Sequence, residues 1–258
     1  QIRAKLLVGA DGADSLVRRE LGIGQKIWEY GQRAIVAVVE TSRANPGVAW
    51  QRFFPGGPLA FLPLVGGSSS IVWSLPDVEA RRVLDLTDEE FRAELAAALN
   101  ETAPFGQVMS CGPRAAFPLR MQLSHSYAAR HAVLVGDAAH VVHPLAGQGV
   151  NLGFSDAAAL LETLLKARTA GEDIAGDAVL QSYARWRRSE AELMAQGVHG
   201  IRSLFTPDFL GPLRRLGLGL VSRSWMLKES FIRRAVGRNR DAPALTRGLG
   251  LADLLRGG

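Results

Sequence analysis

Hydrophobic and polar positions recur with two different periods along this chain. Residues 5–9 (KLLVG) form a short apolar run that meets an Asp-Gly pair, the pattern of a buried strand ending in a turn. A helix start comes next at Leu16, with Ser15 or Asp14 as its N-cap. Residues 33–41 (RAIVAVVET) and 48–54 are rich in β-branched and aromatic side chains and predict strands. Residues 59–65 and 69–75 predict a hairpin across Gly66-Gly67. The period lengthens over 87–100 (TDEEFRAELAAALN), an amphipathic helix with Thr87 and Glu90 at capping-box spacing. Strands return over 114–122 and 131–136. Residues 149–166 and 177–205 read as helices, and Pro207 and Pro212 break the remaining tail into shorter ones. No repeat or low-complexity tract is visible.

Two places in this pattern carry chemistry. The first is Val133-Leu134-Val135-Gly136-Asp137-Ala138-Ala139-His140, followed by Pro144-Leu145-Ala146-Gly147-Gln148-Gly149-Val150-Asn151-Leu152-Gly153. It reads as strand, acidic residue, Pro/Gly turn and helix. An Asp at a strand's end is placed to accept hydrogen bonds from ribose hydroxyls. A helix opening near Gly149 offers unpaired N–H groups and a positive dipole end to an anion or an electron-rich ring edge. The second is Asp11-Gly12 with Ser15 and Arg18, again strand, turn and helix start. For Asp137 the plain alternative is a helix-turn cap, and for Asp11 an ordinary Asp-Gly turn.

The pairing of these elements resembles the flavoprotein hydroxylase superfamily, the group that contains para-hydroxybenzoate hydroxylase. Asp11-Gly12 matches its "DG" fingerprint and Gly136-Asp137 its "GD" fingerprint. Trp50-Gln51-Arg52-Phe53-Phe54, Gly57 to Leu64, Ser70-Ile71-Val72-Trp73, Phe117-Pro118-Leu119, Pro144 to Gly153 and Gly200 to Phe205 are similar to the ubiquinone-biosynthesis hydroxylases within it. The likeness runs along nearly the whole chain. It implies an α/β fold with an α+β substrate layer: an incomplete, Rossmann-like FAD-binding domain, an antiparallel-rich substrate-binding sheet and C-terminal helices. The expected division is 1–24 with 131–170 as the partial FAD-binding domain, 25–130 as the substrate-binding domain and 171–258 as a helical region.

The resemblance also implies roles. Asp137, beside Gly136, would bond the ribityl or ribose hydroxyls of FAD. Gly147, Gly149, Val150 and Asn151 would meet the pyrimidine edge of the flavin. Asp11 and Gly12 would lie near the pyrophosphate and ribityl. Pro144 would stand beside the flavin, contributing shape and a backbone carbonyl to catalysis. Arg18 and His140 read as structural. NAD(P)H would reduce the FAD, and O2 would then serve to hydroxylate the ring of a polyprenylated phenol. Phe54, Phe61, Leu62 and Trp73 either line an apolar site for that ring or pack in the core.

No Gly-x-Gly-x-x-Gly follows a strand, and the chain has no initiator Met. The expectation is a fragment lacking the N-terminal nucleotide-binding unit. Two other readings stay open: a hydroxylase of a soluble aromatic compound, with a cation drawn from Arg33, Arg43, Arg52, Arg81 or Arg82, and a flavin-free, non-catalytic interaction subunit.

Composition narrows the picture. The 258 residues are 47% hydrophobic, enough for a true core. One cysteine, Cys111, excludes an intrachain disulfide and a thiolate metal cluster, so a cytoplasmic, reducing setting is expected. His125, His131, His143 and His199 show no metal spacing, and no nucleophile elbow is present. The net charge is +5, yet residues 195–258 alone hold eleven Lys/Arg against four Asp/Glu, leaving the remainder at −2. This basic, apolar tail either packs as a helical bundle or lies on the anionic inner face of a membrane, or docks in a biosynthetic complex. It carries no nucleic-acid motif.

Overall fold

The fold was described from a computed structural model. It describes residues 3–99, 104–142, 149–205, 241–250 and 252–253, with the side chains of 196–205 left aside. The chain forms β1 (Leu7–Gly9), α1 (Leu16–Glu20), β2 (Gln25–Thr41), β3 (Trp50–Phe54), β4 (Gly57–Pro63), β5 (Ser69–Pro76), α2 (Asp77–Asp85), α3 (Asp88–Leu99), β6 (Val108–Cys111) and β7 (Ala115–Ser124). It continues as β8 (Ala128–Ala129), β9 (Ala132–Leu134), β10 (His140–Val141), α4 (Gly149–Thr169) and α5 (Asp177–Phe205). Two compact units result: Gln1–Trp28 with Arg120–Gly258, and Glu29–Leu119. This mixed α/β architecture, with one antiparallel sheet, is the fold class expected.

The second unit, Glu29–Leu119, is built on period-two alternation. Antiparallel pairing runs β2–β5–β4–β3, and β6 joins β2. Ile35, Ala37 and Val39 of β2 face inward with Leu59 and Phe61 of β4 and Ile71 and Trp73 of β5. Helix α3 closes the core with Phe91, Leu95 and Leu99, spaced by four and therefore on one face. Its capping box forms as the sequence predicts: Glu90 N–H donates to Thr87 Oγ1 at 3.2 Å, and Thr87 N–H to Glu90 Oε2 at 2.8 Å. Phe61 stacks on Phe105 at 5.4 Å and meets the edge of Trp50 at 5.9 Å.

Elements beyond the sequence expectation include α2 and β6, besides the two-residue strands β8 and β10. Helix α2 forms on a nine-residue stretch whose buried face is only Ala80 and Val83. Strand β6 is four residues long and takes its stability from β2, not from its own composition. Phe61 and Trp73 are core residues, 0% and 7% exposed, whereas Leu62 is 40% exposed.

The first unit holds a three-stranded sheet in the order β1–β9–β8. Strands β1 and β9 are parallel, with Leu7 opposite Ala132, Val8 opposite Val133 and Gly9 opposite Leu134. Helices α4 and α5 pack here, burying Leu152, Ala159 and Leu160 from one and Leu180, Tyr183, Ala184 and Ala191 from the other. The bounds of α4 and α5 follow the sequence periodicity, with α4 running three residues further, to Thr169. The end of the helix expected over 87–100 and the tail over 206–240 fall at or within positions outside the described residues.

Candidate nucleotide site

Parallel pairing places the carboxyl ends of β1 and β9 side by side, and each strand runs into one of the two motifs. Open α/β sheets bind ligands at this edge. The ladder closes with Val135 N–H donating to Gly9 O at 3.0 Å, after which the chains diverge into Asp11-Gly12 and Gly136-Asp137. The two motifs, some 120 residues apart in sequence, thus meet in space.

Each motif has its own local cause. After β1, Gly12 takes the left-handed conformation (φ 83°), and a Cβ there would meet nothing within 4 Å. The space beside its backbone is open to a ligand, among the described residues. Ser15 caps α1 by accepting from Arg18 N–H at 2.9 Å. The Asp11 carboxylate takes the Ser15 hydroxyl at 2.5 Å and Val17 N–H at 3.0 Å. Burial is the largest single influence and pushes the Asp11 carboxyl up, but the hydrogen bonds from Ser15 and Val17 and the neighbouring backbone together outweigh it and hold its pKa below the usual value.

After β9, residues Gly136–Ala138 form a single 3-10 turn, with Gly136 at φ 59°. Asp137 is exposed and has no hydrogen-bond partner among the described residues. Helix α4 lies against this turn because two glycines meet: a Cβ on Gly153 would stand 3.3 Å from the Gly136 Cα. The first turn of this 21-residue helix, Gly149, Val150 and Asn151, carries no acidic residue. Val150 is 68% exposed. Pro144 and Gly147 lie outside the described residues.

Arg18 joins the motifs. Its guanidinium, 4% exposed, donates to Ala13 O and to Ala138 O, both at 2.8 Å. It is a structural donor, as the sequence suggests. His140 is buried, with Nε2 at 2.6 Å from Asp156 Oδ2.

Asp156 and Arg187 are absent from the sequence-level site. Asp156 Oδ2 also accepts from Gly136 N–H at 2.9 Å, and Oδ1 accepts from Arg187 Nε at 2.7 Å. Both side chains are wholly buried. Burial pushes the Asp156 carboxyl up, but the His140 hydrogen bond and charge, with Arg187, more than reverse this and hold it below the ordinary carboxylate value. Burial likewise opposes the Arg187 charge, and Asp156 and Glu190 outweigh it to raise its pKa. A signal existed: Asp156 falls on the inward stripe Leu152-Asp156-Ala159-Leu160, and Arg187 on Leu180-Ala184-Arg187-Ala191. A charge on an apolar stripe demands a partner.

An exposed acid, an open glycine and an acid-free helix start at the edge of a parallel pair fit a dinucleotide, whose hydroxyls, phosphates and ring edge need an acceptor, close approach and N–H groups respectively. Comparison with known proteins agrees. The FAD binding domain family profile matches residues 1–198. Ubiquinone hydroxylase UbiL of Rhodospirillum rubrum is 41% identical over 256 residues, covering 97% of this chain and 59% of that protein. The 3-demethoxyubiquinol 3-hydroxylase of Escherichia coli is 38% identical over 239 residues, covering 92% and 60%. The chain therefore spans about three fifths of these relatives. Among solved structures, PqsL, a probable FAD-dependent monooxygenase from Pseudomonas aeruginosa, superposes with TM-score 0.66 at 25% identity, covering 81% of this chain and 58% of that one. With the family profile spanning most of its length and the two motifs meeting at one sheet edge, the chain belongs to the FAD binding domain family.

Proposed function

We propose that this chain supplies the later part of the FAD site of an aromatic-ring monooxygenase acting on a polyprenylated phenol in ubiquinone biosynthesis. The observation that carries the reading is the convergence of Asp11-Gly12 and Gly136-Asp137 at the carboxyl ends of β1 and β9. Asp137 would accept from ribityl or ribose hydroxyls. Gly12 and Gly136 would let the cofactor approach the backbone, with Asp11 shaping the turn. The N–H groups at Gly149, Val150 and Asn151 would hold the electron-rich ring edge, and the helix dipole would favour negative charge there by about 0.3–1 kcal/mol. Pro144 and Gly147 would complete that loop. Bound FAD, with NAD(P)H as reductant and O2 as oxidant, supplies the hydroxylating chemistry.

The substrate class rests on the ubiquinone hydroxylases among the relatives. Unit 29–119 is the candidate substrate layer. Of the five arginines an anionic soluble substrate could use there, three are engaged: Arg33 faces Asp77 at 3.3 Å, Arg52 donates to Ala98 O at 2.9 Å, and Arg82 pairs with Glu79 and Glu94. That leaves Arg43 and Arg81 for such a substrate and weights the reading toward a neutral, greasy ring. No helix among the described residues is long and apolar enough to cross a membrane. The basic surplus over 195–258 supports peripheral contact with an anionic inner membrane face, and co-sedimentation with anionic but not neutral vesicles tests it.

The central test is flavin absorbance of the purified chain with added FAD, alone and mixed with the Gly-x-Gly-x-x-Gly-bearing N-terminal part of a relative. Flavin retained in either sample, and lost on Asp137→Ala without loss of fold, is the expected result. A well-folded sample without flavin in both would favour the non-catalytic interaction reading instead.

A further inference from the structure

We infer that Asp156, clamped by Arg187 and His140, is the positioning residue that fixes the Gly136-Asp137 turn for nucleotide binding, a role resting on the function proposed above. One carboxylate oxygen, Oδ2, holds both sides of Asp137: Gly136 N–H at 2.9 Å before it, and His140 Nε2 at 2.6 Å after it. Strand pairing ends at Val135, so Gly136 N–H is the first amide that the sheet no longer satisfies. Arg18 and Ser124 hold the turn from its carbonyl side, at Ala138 O and Ala139 O. Asp156 holds it from the amide side.

A wholly buried carboxylate is an expensive way to satisfy one amide, and an apolar residue on that stripe would pack at no such cost. The chain instead commits Arg187 of α5, itself 0% exposed, to keep Asp156 charged. Arg187 touches the turn only through Asp156 among the described residues, so its effect is indirect. Tyr183 Oη, bonded to Leu134 O at 2.9 Å, ties the same helix to the end of β9. The arrangement converts the packing of α4 and α5 into the backbone geometry of the residue that would meet the cofactor.

The test uses the full chain, in the mixture with the N-terminal part if FAD requires it, and reads two quantities. One is the FAD dissociation constant; the other is amide exchange over 136–141, with α3 as internal reference. For Asp156→Asn, affinity should fall about tenfold or more, by analogy with the loss on removing an outer partner of a metal ligand. Exchange at the turn should quicken about tenfold or more while α3 is unchanged. His140→Leu should act in the same direction, and His140→Gln, which keeps an N–H donor at that reach, should restore much of the loss. Leu160→Ala removes apolar packing from the same helix but none of the turn's hydrogen bonds, and should leave FAD affinity near wild type. Unchanged exchange in Asp156→Asn, or an affinity loss as large in Leu160→Ala, overturns the positioning role. If Asp156→Asn does not fold, the His140 pair decides. Absence of FAD binding by the wild-type protein would remove the functional reading and leave turn exchange alone to decide whether Asp156 fixes the turn.

Discussion

The core of unit 29–119 is Ile35, Val39, Leu59, Phe61, Ile71, Phe91, Leu95, Leu99 and Phe105, apolar throughout this set. The core of the other unit sets Tyr127, Val133, Leu134, Leu152, Leu160 and Tyr183 beside Asp156, His140 and Arg187. In the first, the buried polar side chains among the described residues are the neutral Asn45, Ser69 and Ser74, and the large apolar ones each contribute about 1.5–3 kcal/mol by leaving water. In the second, desolvated charges cost several kcal/mol per ion before their pairing returns it. A core without buried charge tolerates small shifts of rotamer; a directed ion network does not. The unit that carries the two nucleotide motifs is the one that accepts this cost, and geometry at the turn is what it obtains.

Removal of one charge breaks this contrast most sharply. Arg187→Met leaves Asp156 buried without its guanidinium partner, and about 3–5 kcal/mol of stability should be lost. Unfolding followed by amide exchange should place that loss in α4, α5 and β9, with β2–β5 unaffected. Asp156→Leu combined with Arg187→Met should regain much of the stability while FAD affinity stays low. Stability and binding would then part company, which an apolar core cannot make them do.

Phe61→Ala is the counterpart in the other unit. It removes a ring stacked on Phe105 and edge-on to Trp50, and should cost about 3–5 kcal/mol through lost transfer energy and the cavity left behind. The loss should appear in unit 29–119, and FAD affinity should hardly change. An FAD defect in this variant would show that the two cores are not separate in their effects.

Acid distinguishes the units next. The Asp156 pKa in the folded chain lies below its ordinary value of 3.8. Folding therefore favours the ionised form, and the stability it contributes is fully present above that value. It is lost as pH falls through the lower, folded pKa. Glu162, held down against its burial by Lys166 and by Ala244 N–H, adds to the same trend in the same unit. Exchange protection of α4 should decline below about pH 4 before that of β4 and β5. Loss of β4 and β5 first would contradict the assignment of acid sensitivity to the buried ion network.

These contrasts also explain what the sequence could disclose. The hairpin β4–β5 and the bounds of α4 and α5 rest on local periodicity, and they were legible to within a few residues. So was the capping box at Thr87 and Glu90, because the residues that make it lie three apart. Helix α2 was not, since two inward residues in nine make too thin a stripe. The parallel partner of β1 lies about 125 residues away, and no local pattern encodes that pairing. Asp11, Gly12, Gly136 and Asp137 were visible as motif letters. The Asp156–Arg187 pair was visible only as two misplaced charges, because their meeting depends on how α4 and α5 pack.

The smallest predicted effect makes the sharpest comparison, because the same local device occurs in both units. Thr87→Ala removes a hydroxyl cap from α3, and Ser15→Ala removes one from α1. Each should cost about 1 kcal/mol, the usual value of such a cap. In α3 the consequence should end there, since Thr87 and Glu90 bond each other and neither bonds a residue of the two motifs among the described residues. Ser15 has a second duty: its hydroxyl donates to Asp11 Oδ1 while its oxygen accepts from Arg18 N–H. Its loss frees one side of the Asp11 carboxylate and raises the Asp11 pKa toward the ordinary value, because the Ser15 hydrogen bond is the foremost influence lowering it. Ser15→Ala should therefore weaken FAD binding severalfold, whereas Thr87→Ala leaves it unchanged at equal cost in stability. Paired urea titrations and FAD titrations of the two variants would measure this. Equal FAD affinity in both would reduce Asp11 to an ordinary turn residue and leave Gly136-Asp137 as the sole motif carrying the site.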